Sequence, residues 1–492
     1  MQTHPSPYTR NCFPAIFQRK EFMRPIFLYS AILFISLCTF SSCKKNASGT
    51  EPTSPSFELW VTNPDKSALF QRQTVNTASE STDNVPVITV DENTTYQTMD
   101  GYGCALTGGS AMLLHQMGTT QRAAILNELF STDGIGISYL RISIGASDLS
   151  DHVFSYDDLQ AGQTDTAMDH FSLDVEQTDL IPVLKEILAV NPDIKILGSP
   201  WSAPTWMKTN NSSIGGSLKT LYYAAYAKYF VKYIQGMKAE GIRIDAITIQ
   251  NEPLYGGNNP SMVMQASEQA AFIKNNLGPA FAAAGIDTKI IIYDHNADRT
   301  DYPISILNDP DAKKYIDGSA FHLYGGSINN LAAVHNAHPD KNLYFTEQWV
   351  GSYESFSDVL SFHVGSLIIG GAWNWCKNEI EWNLASSPSL GPHTDGGCTQ
   401  CLGALTIDGN SVTRNPAYYS MAHAAKFVRP GSVRIGSTVP SNLNNVAFAT
   451  PSGKTVLIVL NSNTLPTVFK VRSGTTDMVM YLNAGAVGTV VW

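Results

Sequence analysis

Eight short apolar runs, separated by amphipathic stretches, set the strongest limit on how this chain folds. They are GYGCALT (101–107), ISYLRISI (137–144), IKILGSP (194–200), DAITIQ (245–250), KIIIYD (289–294), SAFHLY (319–324), NLYFT (342–346) and GAWNW (371–375). Between them lie helix-period segments such as TQRAAILNELF (120–130), TDLIPVLKEILAV (178–190) and LYYAAYAKYFVKYIQGMKAEG (221–241). Buried strands alternating with helices predict a parallel sheet, and eight of them predict a closed (β/α)₈ TIM barrel of the α/β class. A doubly wound sheet is the alternative, but no G-x-G-x-x-G follows the first run.

The chain ends read differently. Residues 433–492 alternate apolar and polar side chains between Gly and Asn turns, which predicts an antiparallel β module. Residues 57–98 contain FELWVTN and VPVITVD, also strand-like, and are candidates to add strands to that module, since domain ends often meet. The layout predicted is a leader (1–42), a tether (43–56), N-terminal strands (57–98), the barrel (99–428) and the C-terminal β-sandwich (429–492).

At 492 residues and 43% hydrophobic, the chain can bury a large core, and a net charge of -10 argues against nucleic acid or an anionic membrane surface as a partner. The N-terminus carries the apolar run IFLYSAILFISLCTF (26–40), short for a spanning helix and suited to a signal h-region. Ser41, Ser42 and Cys43 follow, then Lys44, Lys45 and a Ser/Thr/Pro-rich tether. This arrangement resembles a bacterial lipoprotein signal with Cys43 as the lipidated residue, and Met23-Arg24 makes a more ordinary start than Met1. It predicts a cell-envelope protein, anchored to the outer membrane on its periplasmic or outer face, touching the membrane through the lipid alone. Cys398 and Cys401, in GGCTQC, are candidates for a small disulfide loop in such a compartment. Zinc there would need a second ligand pair, and His393 is the one local candidate, so no metal and no cofactor is expected.

Barrel enzymes work at the C-terminal ends of their strands. Those ends present Arg141 and Asp148, Trp201, Asn251 and Glu252, Asp294, His322 and Tyr324, Glu347 and Gln348, and Trp373 with Trp375. Glu252 and Glu347 each close an apolar run, where an unsatisfied charge is costly. Two such carboxyls among aromatics suit glycoside hydrolysis, which needs one protonated and one ionised. Glu354, and Glu379 and Glu381 in the loop after the final strand, lack that position and are read as surface residues. Asp294 and His322 are read either as supporting or ligand groups or as satisfied core polars.

The motifs RISIGASDLS (141–150), SPWSAPTWMKTN (199–210), TIQNEP (248–253), FHLY (321–324), FTEQWVGS (345–352) and WNLA (382–385), in that order, resemble glycoside hydrolase family 30. The similarity runs from about residue 57 to the C-terminus and lies nearest the glucosylceramidase and β-1,6-glucanase branches. It implies a (β/α)₈ barrel carrying an all-β sandwich side domain built from both chain ends, a retaining double displacement, Glu252 as acid/base and Glu347 as nucleophile. It further implies sugar contacts from Asp148, Trp201 and Trp382, with Asn251 on the 2-hydroxyl. Tyr324 would hydrogen-bond Glu347, and Arg141 would lower its pKa. The Gly-Gly-Cys-x-x-Cys loop resembles the β-1,6-glucan-active members. The function expected is an endo-β-1,6-glucanase acting on β-glucan. A glucosylceramidase-type β-glucosidase is the alternative, and a non-catalytic glycan-binding lipoprotein the reading from another class.

Overall fold

The structure is a computed structural model that describes residues 57–73 and 84–492; the leader, the tether and Cys43 lie outside the described residues. Eight parallel strands close into a barrel: Gly101–Ala105, Tyr139–Ser143, Lys195–Ser199, Ala246–Thr248, Lys289–Asn296, Ile316–His322, Asn342–Glu347 and Cys376–Asn383. Seven match the sequence expectation. The eighth does not, because GAWNW continues a helix that ends at Gly370–Trp373, and the strand begins at Cys376.

Side chains alternate across a strand, so inward positions recur every two residues. Tyr139, Leu197, Ala246, Ile291, Ala320, Tyr344 and Ile380 form one buried layer inside the barrel. Two residues further along six of these strands come Arg141, Ser199, Thr248, His322, Thr346 and Trp382, all buried. The fifth strand departs from this spacing. Its register shifts between Tyr293 and His295, and Tyr293 and Asp294 take φ of 72° and 70°. Such a bulge re-aims a side chain, here placing Asp294 in the polar layer. An apolar plug thus lies beneath a layer of hydrogen-bonding groups at the catalytic end.

Nine of the other strands form one sheet in which Glu58–Thr62 and Val87–Thr98 pair with strands from Val433–Ser437 onward. The sheet folds over itself: Leu59, Val61, Leu457 and Val490 share a core with Phe469, Val471, Met478 and Met480. This is the β-sandwich built from both chain ends. Its other face, with Phe448, Ile458 and Leu460, belongs to the same buried cluster as Leu367 and Ile368 of the barrel segment His363–Ile369. Trp373 and Trp375 serve this junction rather than the cleft, with the Arg434 guanidinium 5.0 and 5.6 Å from their rings.

The shifted eighth strand also corrects the reading of Glu379 and Glu381 as surface residues: they are 2% and 1% exposed. Both point away from Ile380, into the layer between strand and helices. Neither Glu379 oxygen has a hydrogen-bond partner among the described residues. Burial and the Glu381 charge push the Glu379 carboxyl well above the usual range, so it folds as a neutral acid. Glu381 faces His363 Nδ1 at 2.6 Å, and burial holds that imidazole down at about 4. A carboxyl raised on folding contributes stability that is complete below its unfolded pKa and is lost as pH rises toward the folded value. Glu379→Gln should therefore raise the unfolding temperature at pH 7.5 and flatten its decline above pH 4.5. The slope removed is up to about 1.4 kcal/mol per pH unit. Thermal melts of the two proteins from pH 5 to 8 check this, and a variant that melts lower throughout would refute it.

Candidate active site

Asp294 organises the polar layer. Its Oδ2 accepts hydrogen bonds from Arg141 Nη2 at 2.8 Å, Ser199 Oγ at 2.8 Å and Thr248 Oγ1 at 2.7 Å. Its Oδ1 accepts from Thr346 Oγ1 at 2.6 Å and faces His322 Nε2 at 3.1 Å. Although burial opposes ionisation, the Arg141 and His322 charges outweigh it and hold the Asp294 carboxyl far below the carboxylate range. Arg141 is fully buried, and its Nη1 pairs with Glu347 while Nη2 also donates to Asn251 Oδ1 at 2.7 Å. Its guanidinium lies 4.8 Å from the Trp201 ring centre, and Trp201 stacks on Trp382 at 5.3 Å.

Glu347 ends the seventh strand and Glu252 lies four residues past the fourth, both rising from this layer. Glu252 adopts a left-handed backbone, φ 45°, anchored by its N–H on the Asp294 carbonyl at 3.0 Å. That conformation is uncommon outside glycine and marks a position its surroundings enforce. One oxygen of each carboxyl, together with a His322 nitrogen, lies within 4.8 Å of the others. Tyr324 donates its hydroxyl to Glu347 Oε1 at 2.9 Å, and His322 Nδ1 lies 3.3 Å from Glu252 Oε1. Asp148, Trp201, Glu252, Tyr324, Glu347 and Trp382 together line a cleft of about 810 Å³. Cys398 and Cys401 form a disulfide on its wall.

The electrostatics depart from expectation at one point. Arg141 does pull Glu347 down, as does His322, but burial and the charges of Glu252 and Asp294 exceed that pull and leave the carboxyl raised. At Glu252, His322, His295 and Arg141 outweigh burial and leave it lowered. Carboxyls this close titrate as a unit, and a sugar ring between them alters both environments. The order of protonation in the free site therefore does not decide which carboxyl donates the proton. Asp148, buried and facing both glutamates, is raised to about 7.

His322 keeps its proton: burial opposes it, but Glu347, Asp294 and Glu252 raise the imidazole to about 9. Folding thus tightens proton binding, so this contribution is complete below about 6.5, the unfolded value, and lost as pH climbs through about 9. The unfolding temperature should fall across that window, and His322→Asn should remove part of the slope there. Equal slopes for both proteins from pH 6.5 to 9 would refute it.

Of the strand-end residues expected at the site, all but Trp373 and Trp375 reach this cleft or the layer beneath it. Missed in the sequence were His295, 3.8 Å from Glu252, and the rim residues Tyr255 and Trp349. His295 follows Asp294 directly, and strict alternation places one of the two on the outer face; the bulge at Asp294 brings both inward. Tyr255 stood in QNEPLYGG, three residues past the glutamate, where an aromatic in a loop carries no periodic signal.

The chain matches the glycosyl hydrolase family 30 TIM-barrel domain over residues 99–428 and the family 30 beta sandwich domain over 431–490. It belongs to glycoside hydrolase family 30. An Aspergillus fumigatus endo-1,6-beta-D-glucanase is 36% identical over 415 residues, covering 79% of this chain and 83% of its own. The mouse lysosomal acid glucosylceramidase is 30% identical over 401 residues, covering 76% and 77%. Among solved structures, an endo-beta1,6-glucanase superposes with TM-score 0.83 at 37% identity, over 89% of this chain and 99% of its own. The family 30 chain is thus a glycoside hydrolase, with the barrel and sandwich that the family's domains describe.

Proposed function

We propose that this family 30 enzyme is a retaining endo-β-1,6-glucanase. The observation that carries the reading is the carboxyl pair: oxygens of Glu252 and Glu347 within 4.8 Å, at the floor of a cleft walled by the Cys398–Cys401 loop. That closeness suits direct attack, since inverting enzymes hold their carboxyls roughly 6.5–9.5 Å apart to admit a water. The resemblance to β-1,6-glucanases supports the linkage.

Protonated Glu252 donates to the glycosidic oxygen while Glu347 attacks the anomeric carbon, breaking the C1–O bond and forming a glycosyl ester. Glu252, now ionised, takes a proton from water, whose oxygen attacks C1 and releases Glu347. Arg141 and Tyr324 hold the nucleophile in line. Because Arg141 occupies Asn251 Oδ1, Asn251 offers its Nδ2 to the sugar 2-hydroxyl, a contact that strengthens in the transition state. Trp201, Trp382 and Asp148 bind the sugar ring, and exposed Tyr255 on the cleft rim offers a face for a further glucose unit.

Incubation with β-1,6-glucan should release short gluco-oligosaccharides of mixed length, with the β-anomer appearing first by NMR. Release of glucose alone, or turnover of glucosylceramide in preference to the polysaccharide, would overturn the endo-glucanase reading. We also propose that Cys43 anchors the enzyme to the cell envelope by lipid. Cys43→Ala should move it from the membrane to the soluble fraction of the producing cell; unchanged partition would refute the anchor.

A further inference from the structure

We propose that the segment carrying Asp157, Asp165 and His170 binds one divalent ion of the manganese-to-zinc type, which braces a wall of the catalytic cleft. One donor atom from each of the three residues lies within 4.8 Å of the other two. Asp157 and Asp165 are 1% and 6% exposed, so two carboxylates face each other nearly out of water. Asp157 Oδ2 accepts from Trp206 Nε1 at 3.2 Å, but its Oδ1 is sealed from solvent with no hydrogen-bond donor among the described residues. Asp165 Oδ2 accepts the His170 backbone N–H at 2.7 Å and faces its Nδ1 at 3.1 Å.

No lysine or arginine among the described residues pairs with either carboxylate. Nearby Lys228 and Lys232 donate instead to the carbonyls of Thr166 and Met168. A buried carboxylate oxygen without a partner is costly, and a cation bridging it to Asp165 would satisfy both. Two carboxylates and an imidazole suit first-row divalent ions, whereas calcium prefers six to eight oxygens. The His170 side chain is largely exposed, so the ion would sit at the loop surface, open to water and to exchange.

The consequence reaches the cleft along two covalent paths. Asp148, on the cleft wall, lies nine residues before Asp157 in the same connection after the second strand. Trp206, held by Asp157, lies five residues after Trp201. An ion tying Asp157 to His170 would therefore fix the segment that presents Asp148 and steady the one that follows Trp201.

The test uses the untagged full chain, stripped with a chelator and titrated with MnCl₂ or ZnCl₂ by calorimetry and thermal melting. Wild type should take up one ion with the melting temperature rising by about 2 °C or more at saturation. His170→Ala, an exposed change that leaves the fold intact, should weaken binding at least tenfold and abolish the rise, as should Asp165→Asn if it folds. Glu347→Gln should bind as wild type does, which separates this site from the Glu252–His322–Glu347 group. Equal binding by His170→Ala, loss of binding in Glu347→Gln, no uptake of either ion, or a response to CaCl₂ alone would each overturn the proposal.

Discussion

Glu347→Ala should lose turnover of β-1,6-glucan by about a thousandfold or more, corresponding to at least about 4 kcal/mol of barrier, while the protein still folds. Glu347 ends the seventh strand with Tyr324 on one oxygen and Arg141 on the other. In the proposed nucleophile role, removing the carboxylate removes the bond-forming atom, and no remaining carboxyl takes its place. Asp148 lies across the pocket in a mostly protonated form below about 7, and Asp294 is committed to the layer beneath. The space left by the side chain admits a small anion. Azide should therefore restore cleavage of an activated aryl β-glucoside and give the α-glucosyl azide, because a single displacement inverts C1. Glu252→Ala should behave in the opposite way: azide adds to the intermediate and yields the β-azide. A β-product from the Glu347 variant, or a near-wild-type rate without azide, would exchange or dismiss the two roles.

How far the sequence could reveal this site depended on backbone regularity. Strand seven ends where its apolar run ends, and strand four stops at Thr248 just inside its run, so Glu347 and Glu252 could be placed at the catalytic rim by counting. The inward layer followed the two-residue period on six strands, which is why Arg141 and His322 were visible as strand-end polars. The fifth strand hid more, because two consecutive left-handed residues shift its register and bring both Asp294 and His295 inward. The eighth strand was concealed by its own chemistry: CKNEIEWN interrupts an apolar pattern with three charged side chains, while the preceding GAWNW looked like strand and belongs to the end of a helix. Glu379 and Glu381 were consequently read as exposed. Asp157, Asp165 and His170 lie in an irregular connection where no period operates, and their proximity is a property of the fold alone.

Arg141→Met should cost about 3–5 kcal/mol of stability, a large part of the roughly 5–15 kcal/mol that holds a folded domain. It should also remove activity in whatever protein remains folded. The reason is what the guanidinium leaves behind. Arg141 has no solvent exposure and bridges Asp294, Glu347 and Asn251 while lying against Trp201. Methionine fills much of the same volume but strands two acidic groups in a dry layer, with His322 the one positive side chain among the described residues left near both. Lysine keeps a charge yet cannot span three acceptors from a single ammonium. Arg141→Lys should therefore fold with a lowered melting temperature and lose kcat far more than it raises KM. A double variant separates charge from packing. Adding Asp294→Asn to Arg141→Met removes the more deeply buried orphan, so the pair should melt above the single Arg141→Met protein while remaining inactive. Were the double variant no more stable than the single, the loss would lie in packing against Trp201 and Trp382, and the charged layer would not be what Arg141 holds together.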